Sequence, residues 1–145
     1  MLNRAQIAQM IPHAGAMCLL DAVLAWDANT IRCSSRSHRV PDNPLRVGGR
    51  LPTLCGIEYA AQAMAVHGGL SAAIGARPRA GYLASLRDVT CLHRALDDAA
   101  GELVVAAERL MGDEGRVIYG FTLWIGATEM LHGRAAVVLD AGVPA

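Results

Sequence analysis

The stretch Leu51-Pro52-Thr53-Leu54-Cys55-Gly56-Ile57-Glu58-Tyr59-Ala60-Ala61-Gln62-Ala63-Met64-Ala65-Val66-His67 sets the fold of this chain. Pro52 suits a first helical turn, where its missing N–H would have no partner anyway. Leu54, Ile57, Ala61, Met64 and Ala65 recur at helical spacing. Together they predict one helix from Leu51 to about His67 or beyond, with Gly68 and Gly69 loosening it and Gly75 and Pro78 as a definite stop. Most of its side chains are small, as a helix needs when a sheet must wrap closely around it. Glu58 is the one carboxyl on that surface.

Upstream of this helix, Arg4 to Met10 can form a short helix that ends before Pro12, because proline lacks a donor and disfavours helix in the residue before it. Met17 to Trp26 and Thr30 to Ser37 read as two strands joined by the turn Asp27-Ala28-Asn29. Arg39 to Arg50 crowds Pro41, Asp42, Asn43, Pro44, Gly48 and Gly49 together and predicts a long, shaped loop. Downstream, four strands are expected over Gly81 to Cys91, Glu102 to Met111, Arg116 to Gly126 and Glu129 to Leu139, with a hairpin connection at Gly112-Asp113-Glu114-Gly115. This order implies an α+β class, an antiparallel sheet carrying its helix on one face. It disfavours a Rossmann fold, in which strands and helices alternate.

The chain's 145 residues suit one domain able to bury a core without metal or disulfide. Hydrophobic residues make up 53% and charged residues 18%, against disorder and in favour of buried or interfacial surface. Aromatics are only 4%, and thirteen basic residues balance thirteen acidic ones, so neither base stacking nor a general field suits a nucleic-acid partner. All thirteen bases are arginine, which excludes a lysine Schiff base or a P-loop lysine. Cys18, Cys33, Cys55 and Cys91 are scattered, with no C-x-x-C pair, and no H-x-E or H-E-x-x-H arrangement occurs. Neither a metal nor another cofactor is expected. No apolar run is long enough to span a membrane, and the start carries no apolar core behind a basic flank, so a soluble, cytoplasmic protein is expected.

Two segments carry a family resemblance. Ile11-Pro12-His13 followed by Met17-Cys18-Leu19-Leu20-Asp21-Ala22-Val23 resembles the opening signature of the bacterial 3-hydroxyacyl-acyl-carrier-protein dehydratases. Leu51 to Gln62 resembles that family's central-helix motif, in which Pro opens the helix and Glu precedes Ala-Gln. Over nearly its whole length the chain is similar to the ApeP-like dehydratases associated with aryl polyene biosynthesis. Pro41-Asp42-Asn43-Pro44-Leu45, Gly81-Tyr82-Leu83-Ala84-Ser85 and Gly133-Arg134-Ala135-Ala136-Val137-Val138 carry that likeness. The resemblance implies a single hot-dog domain, an antiparallel sheet wrapped around a long central helix. It also implies a homodimer, or a heterodimer with a related dehydratase, with the active site at the subunit interface. The implied substrate is an acyl chain on the 4'-phosphopantetheine arm of an acyl carrier protein, lying beside the helix.

Removing water from a 3-hydroxyacyl thioester requires a base for the alpha proton, an acid for the leaving hydroxyl and donors for the enolate-like oxygen. Glu58 suits the acid, if its small-residue helix desolvates the carboxyl enough to keep it protonated; the alternative is a Glu favouring the helix dipole. In the resembled family a loop His, a dozen or more residues before the Glu, takes the alpha proton. Here Leu45 to Arg50 holds none, and the nearest upstream imidazole is His38, which a Pro- and Gly-rich loop could fold back toward the site. His13 has the family's Pro-His position and is expected either to bind substrate or to tie the first loop down. Backbone amides around Thr53 and Leu54 are candidates for the thioester oxygen, although Thr53 replaces the family's usual Gly. Gln62 lies one turn after Glu58, either orienting its carboxyl or serving as an ordinary polar residue. His67 is read as structural.

Between Arg32 and Arg50 five arginines face the single acid Asp42, and Arg77 and Arg79 add to them if the helix exit lies nearby. Arg46 and Arg50 are the candidates for docking an acidic carrier protein; the alternative is ion pairing with the later acids. Three functional readings follow. The first is a dehydratase; the second, a catalytically silent hot-dog subunit paired with an active relative; the third, a hot-dog thioesterase using a carboxylate-activated water.

Overall fold

A computed structural model describes residues 1–11, 15–71, 81–113 and 115–139. Among these described residues seven strands form one antiparallel sheet: β1 (Leu2–Asn3), β2 (Ala22–Trp26), β3 (Thr30–Ser35), β4 (Gly81–Cys91), β5 (Leu103–Gly112), β6 (Arg116–Ile125) and β7 (Thr128–Leu139). Their order across the sheet is β1-β2-β3-β5-β6-β7-β4. Helix α1 (Arg4–Ala8) follows β1, and helix α2 (Gly56–Ser71) packs over β3, β5 and β6. This is the hot-dog architecture. It follows from the segregation of apolar residues into one helical run and several alternating strands.

Strand alternation builds the core. Ile31 and Cys33, then Leu103, Val105 and Ala107, then Tyr119, Phe121, Leu123 and Ile125 turn inward onto Tyr59, Ala60, Ala63, Met64 and Val66 of α2. The start of α2 lies close against the sheet. A Cβ at Gly56 would lie 2.5 Å from Leu131 Cδ2 and 3.0 Å from Leu123 Cδ1, so a larger residue there would force those leucine side chains to shift.

Element boundaries differ from expectation where side chains take over the backbone. β2 begins at Ala22 rather than Met17 because the Leu19 carbonyl accepts from the Ser35 and Ser37 hydroxyls and its amide donates to Gln62 Oε1. Those bonds replace a strand ladder. β3 likewise stops at Ser35, giving way to a 3-10 turn at Ser37–Arg39. α2 is entered through a 3-10 turn at Thr53–Cys55, and α1 is shorter than expected, capped by Asn3 with Gln6 answering it. The two-residue β1, paired with Ala22 and Val23, has no periodicity to announce it.

Candidate active site

α2 divides its side chains between sheet and surface. Tyr59, Ala60, Gln62, Ala63, Met64, Val66 and His67 are buried, whereas Glu58, Ala65 and Gly68 are exposed and Ile57 and Ala61 half-buried. With Leu54, 59% exposed, these outer positions form a stripe of small and apolar residues around one carboxylate. The desolvation expected at Glu58 is therefore not supplied by this chain alone. Cys55, three positions earlier, feels that charge: its thiol is pushed up by burial and by Glu58.

Gln62 does not orient Glu58. It is buried, its Oε1 accepts from the Leu19 amide at 2.9 Å, and its Nε2 donates to the Met17 carbonyl at 2.6 Å. Both ends of the amide are thus spent on clamping the segment before β2 to the helix. Tyr59 supplies a second clamp. Its hydroxyl meets Ser37 Oγ at 2.8 Å and accepts from Asn43 Nδ2 at 3.2 Å, joining α2 to the loop before it. Burial raises the Tyr59 hydroxyl above its ordinary range, so it remains a neutral donor and acceptor.

The helix start also departs from expectation. The Thr53 amide donates to the Arg94 carbonyl at 3.0 Å, so it is not free for a thioester oxygen; Leu54 remains at the exposed shoulder. Thr53 Oγ1 is buried and has no hydrogen-bond partner among the described residues.

His38 is buried, with Nε2 on the Gly101 carbonyl at 3.0 Å, and that carbonyl also receives Arg39 Nε and Nη2. Because a carbonyl only accepts, Nε2 carries the proton, and the ring is committed to holding the loop rather than presented as a base. His67 is buried too, with Nε2 on the Asp27 carbonyl at 2.9 Å and Nδ1 on the Tyr119 hydroxyl at 2.7 Å, a structural tie between helix and sheet. His93 is exposed beyond β4, and His132 pairs with Glu129 on β7. His13, Arg77 and Arg79 lie outside the described residues.

Arg46 has an occupation that sequence alone did not reveal. Its guanidinium donates to the carbonyls of Val40, Gly49 and His38 and to Asp97 Oδ1 at 2.9 Å, and its side chain is only 13% exposed. It organises the loop, and little of the guanidinium is left open to a carrier protein. Burial opposes the Asp97 carboxylate, but the Leu51 amide and Arg46 outweigh it and keep its pKa below the ordinary carboxylate range. Arg50 pairs with Asp98 yet stays 60% exposed. Ion pairing, the alternative reading of these arginines, thus accounts for Arg46 outright and for Arg50 in part.

A hollow of about 710 Å³ lies away from Glu58 on the outer face of the sheet. It is lined by Arg32, Glu108, Thr122, Trp124, His132 and Arg134, which alternate with core residues. Among the described residues no three His, Cys, Asp or Glu side chains converge as a metal site would require, and no helix is long and apolar enough to cross a membrane.

The model of the ApeP-like dehydratases, described as ApeP dehydratase, matches residues 5–141. The chain belongs to the ApeP-like dehydratase family. Among solved structures, this ApeP-like chain is similar to the dehydratase heterocomplex ApeI:P from Xenorhabdus doucetiae. The TM-score is 0.81 at 23% identity, covering 98% of this chain and 93% of that one. A thioesterase from Haemophilus influenzae follows with a TM-score of 0.67 at 11% identity, covering 97% and 92%. Zebrafish thioesterase superfamily member 2 gives 0.60 at 18% identity, covering 97% and 100%. These likenesses show the hot-dog fold. No curated protein sequence matches the chain.

Proposed function

We propose that this chain is one half of a composite dehydratase that removes water from 3-hydroxyacyl thioesters carried on acyl carrier protein. In this reading it contributes Glu58 as the acid toward the leaving hydroxyl. The observation that carries the reading is the asymmetry of the site: Glu58 stands exposed on a stripe of small residues, while His38 and His67 are buried and bonded elsewhere. A second subunit laid over that stripe would desolvate the carboxylate and could bring the missing imidazole. The likeness to a chain of a dehydratase heterocomplex supports a heterodimer with a related dehydratase over a homodimer.

The test is turnover of 3-hydroxyacyl carrier-protein substrates by the purified chain, by a companion dehydratase subunit and by the two together. Activity that depends on the pair, and is lost when Glu58 is replaced, is the expected result. Full activity of the companion alone, untouched by changes at Glu58, would instead make this chain the silent subunit. Release of free acid and thiol rather than enoyl thioester would favour the thioesterase reading that the hot-dog thioesterase neighbours keep in view.

Carrier docking is proposed at Arg50 and the neighbouring exposed Arg94, beside Leu54 and Leu92, rather than at Arg46. Arg50→Glu is expected to slow carrier-bound substrate about tenfold at low salt, with the deficit shrinking as ionic strength rises, and to spare a short pantetheine thioester. Equal losses on both substrates would place Arg50 in the fold rather than at a docking surface.

A further inference from the structure

We infer that His38 makes the loop before α2 a proton-operated latch, closed while the imidazole is neutral and released when it takes a second proton. The inference stands on the packing around the ring and does not depend on the dehydratase reading.

Three donors converge on the Gly101 carbonyl: His38 Nε2 at 3.0 Å, Arg39 Nε at 3.2 Å and Arg39 Nη2 at 3.0 Å. With its proton on Nε2, the neutral ring leaves Nδ1 as a bare lone pair, buried and without a partner among the described residues. The acceptor cannot shift to accommodate a change. Gly101 has φ +130°, and a Cβ there would lie 2.7 Å from the Cα and N of Gly126, so tight backbone packing fixes its position. On the loop side, Arg46 Nη2 donates to the His38 carbonyl at 2.7 Å.

The charged groups facing the ring are Arg39 and Arg46 from its own loop and Asp97 from the turn Leu96–Asp98. Glu102, next to Gly101, is turned to Arg36 at 3.6 Å. A second proton on His38 would set a third cation beside two guanidiniums. The Asp97 carboxylate is already shared between Arg46 and the Leu51 amide. The new Nδ1–H would also be a buried donor without an acceptor, costly on its own account.

Burial, the largest influence, holds the imidazole below its usual range, although the Gly101 carbonyl and Asp97 act the other way. The released loop therefore binds the proton first. Closure is fully favoured above about pH 6.5, the ordinary imidazole value, and weakens as pH falls below it toward the pKa of the closed form. Because Asp97 also holds the Leu51 amide, release would loosen the approach to Thr53 and Leu54 at the start of α2.

Amide hydrogen exchange of the full chain, with and without His38→Gln, tests the latch. Glutamine keeps a neutral donor for Gly101 but cannot gain the proton. Corrected for intrinsic rates, protection at Val40, Asn43, Arg46, Val47 and Arg50 is expected to fall by up to about tenfold per pH unit below pH 6.5 and to stay flat in the Gln variant. The amides of β5 and β6 should not follow. A flat response in the parent chain, the same fall in both, or loss from the sheet in step with the loop would overturn the proposal. Should the Gln variant not fold, the ring nitrogens of His38 are read by NMR in the unaltered chain. The expected result is an Nε2–H tautomer whose midpoint lies below pH 6.5 and coincides with the loss of loop protection. A midpoint at or above that value, or one unrelated to the loop, overturns it equally.

Discussion

Glu58→Gln, assayed with the companion subunit present, is expected to leave the melting transition unchanged and to lower dehydration by about a hundredfold or more. The magnitude is that of losing a positioned acid in the transition state. The amide preserves volume and hydrogen bonding but cannot hand a proton to the leaving hydroxyl. Stability should be spared because Glu58 is exposed on the free helix face, whereas its neighbours Tyr59 and Gln62 carry the clamps to the rest of the chain. Retention of most turnover in the paired enzyme would remove Glu58 from the chemistry and favour the silent-subunit reading. A fall in melting temperature matching the fall in rate would reduce it to a structural residue.

Arg46→Ala is expected to show the largest loss of stability of the substitutions considered, about 3 kcal/mol, read as a shift of the urea midpoint by about 1–2 M. The side chain satisfies three carbonyls and one carboxylate from a nearly buried position. Its removal leaves the His38, Val40 and Gly49 carbonyls without that donor and Asp97 without its cation. Lysine should recover only part of the loss, since one ammonium cannot reproduce a planar fork spread over four acceptors. A cost below about 1 kcal/mol would mean that Asn43 and the Asp97–Leu51 bond hold the loop by themselves. The contrast with Arg50 separates the two arginines: the first should act through stability, the second through salt-dependent turnover of carrier-bound substrate.

The central helix, the strands after it and the position of Glu58 were legible because each rests on a short-range pattern. A period of 3.6 from Leu54 to Ala65, a period of 2 through Val117, Tyr119, Phe121 and Leu123, and Pro and Gly at the boundaries are properties of neighbours in the chain. The Pro-opened helix with Glu before Ala-Gln was likewise a contiguous motif. The roles of His38, Gln62, Arg46 and Thr53 were not legible. Their partners lie 63, 43, 51 and 41 positions away, at Gly101, Leu19, Asp97 and Arg94. No spacing rule links such residues, and a histidine bound to a carbonyl looks in sequence like a histidine free to act.

What the sequence by itself determined is the class of fold, the helix that carries Glu58 as its one carboxyl, and the absence of lysine chemistry, because composition and local periodicity suffice for these. Only the tertiary structure decided which polar side chains remain free to act. Hydrogen-bonding capacity is spent wherever folding brings a backbone carbonyl or amide within reach, and that depends on contacts between distant segments. By that process Gln62 became a clamp, Arg46 the keystone of a loop and His38 the occupant of the Gly101 carbonyl, while Glu58, facing outward from the helix, was left exposed.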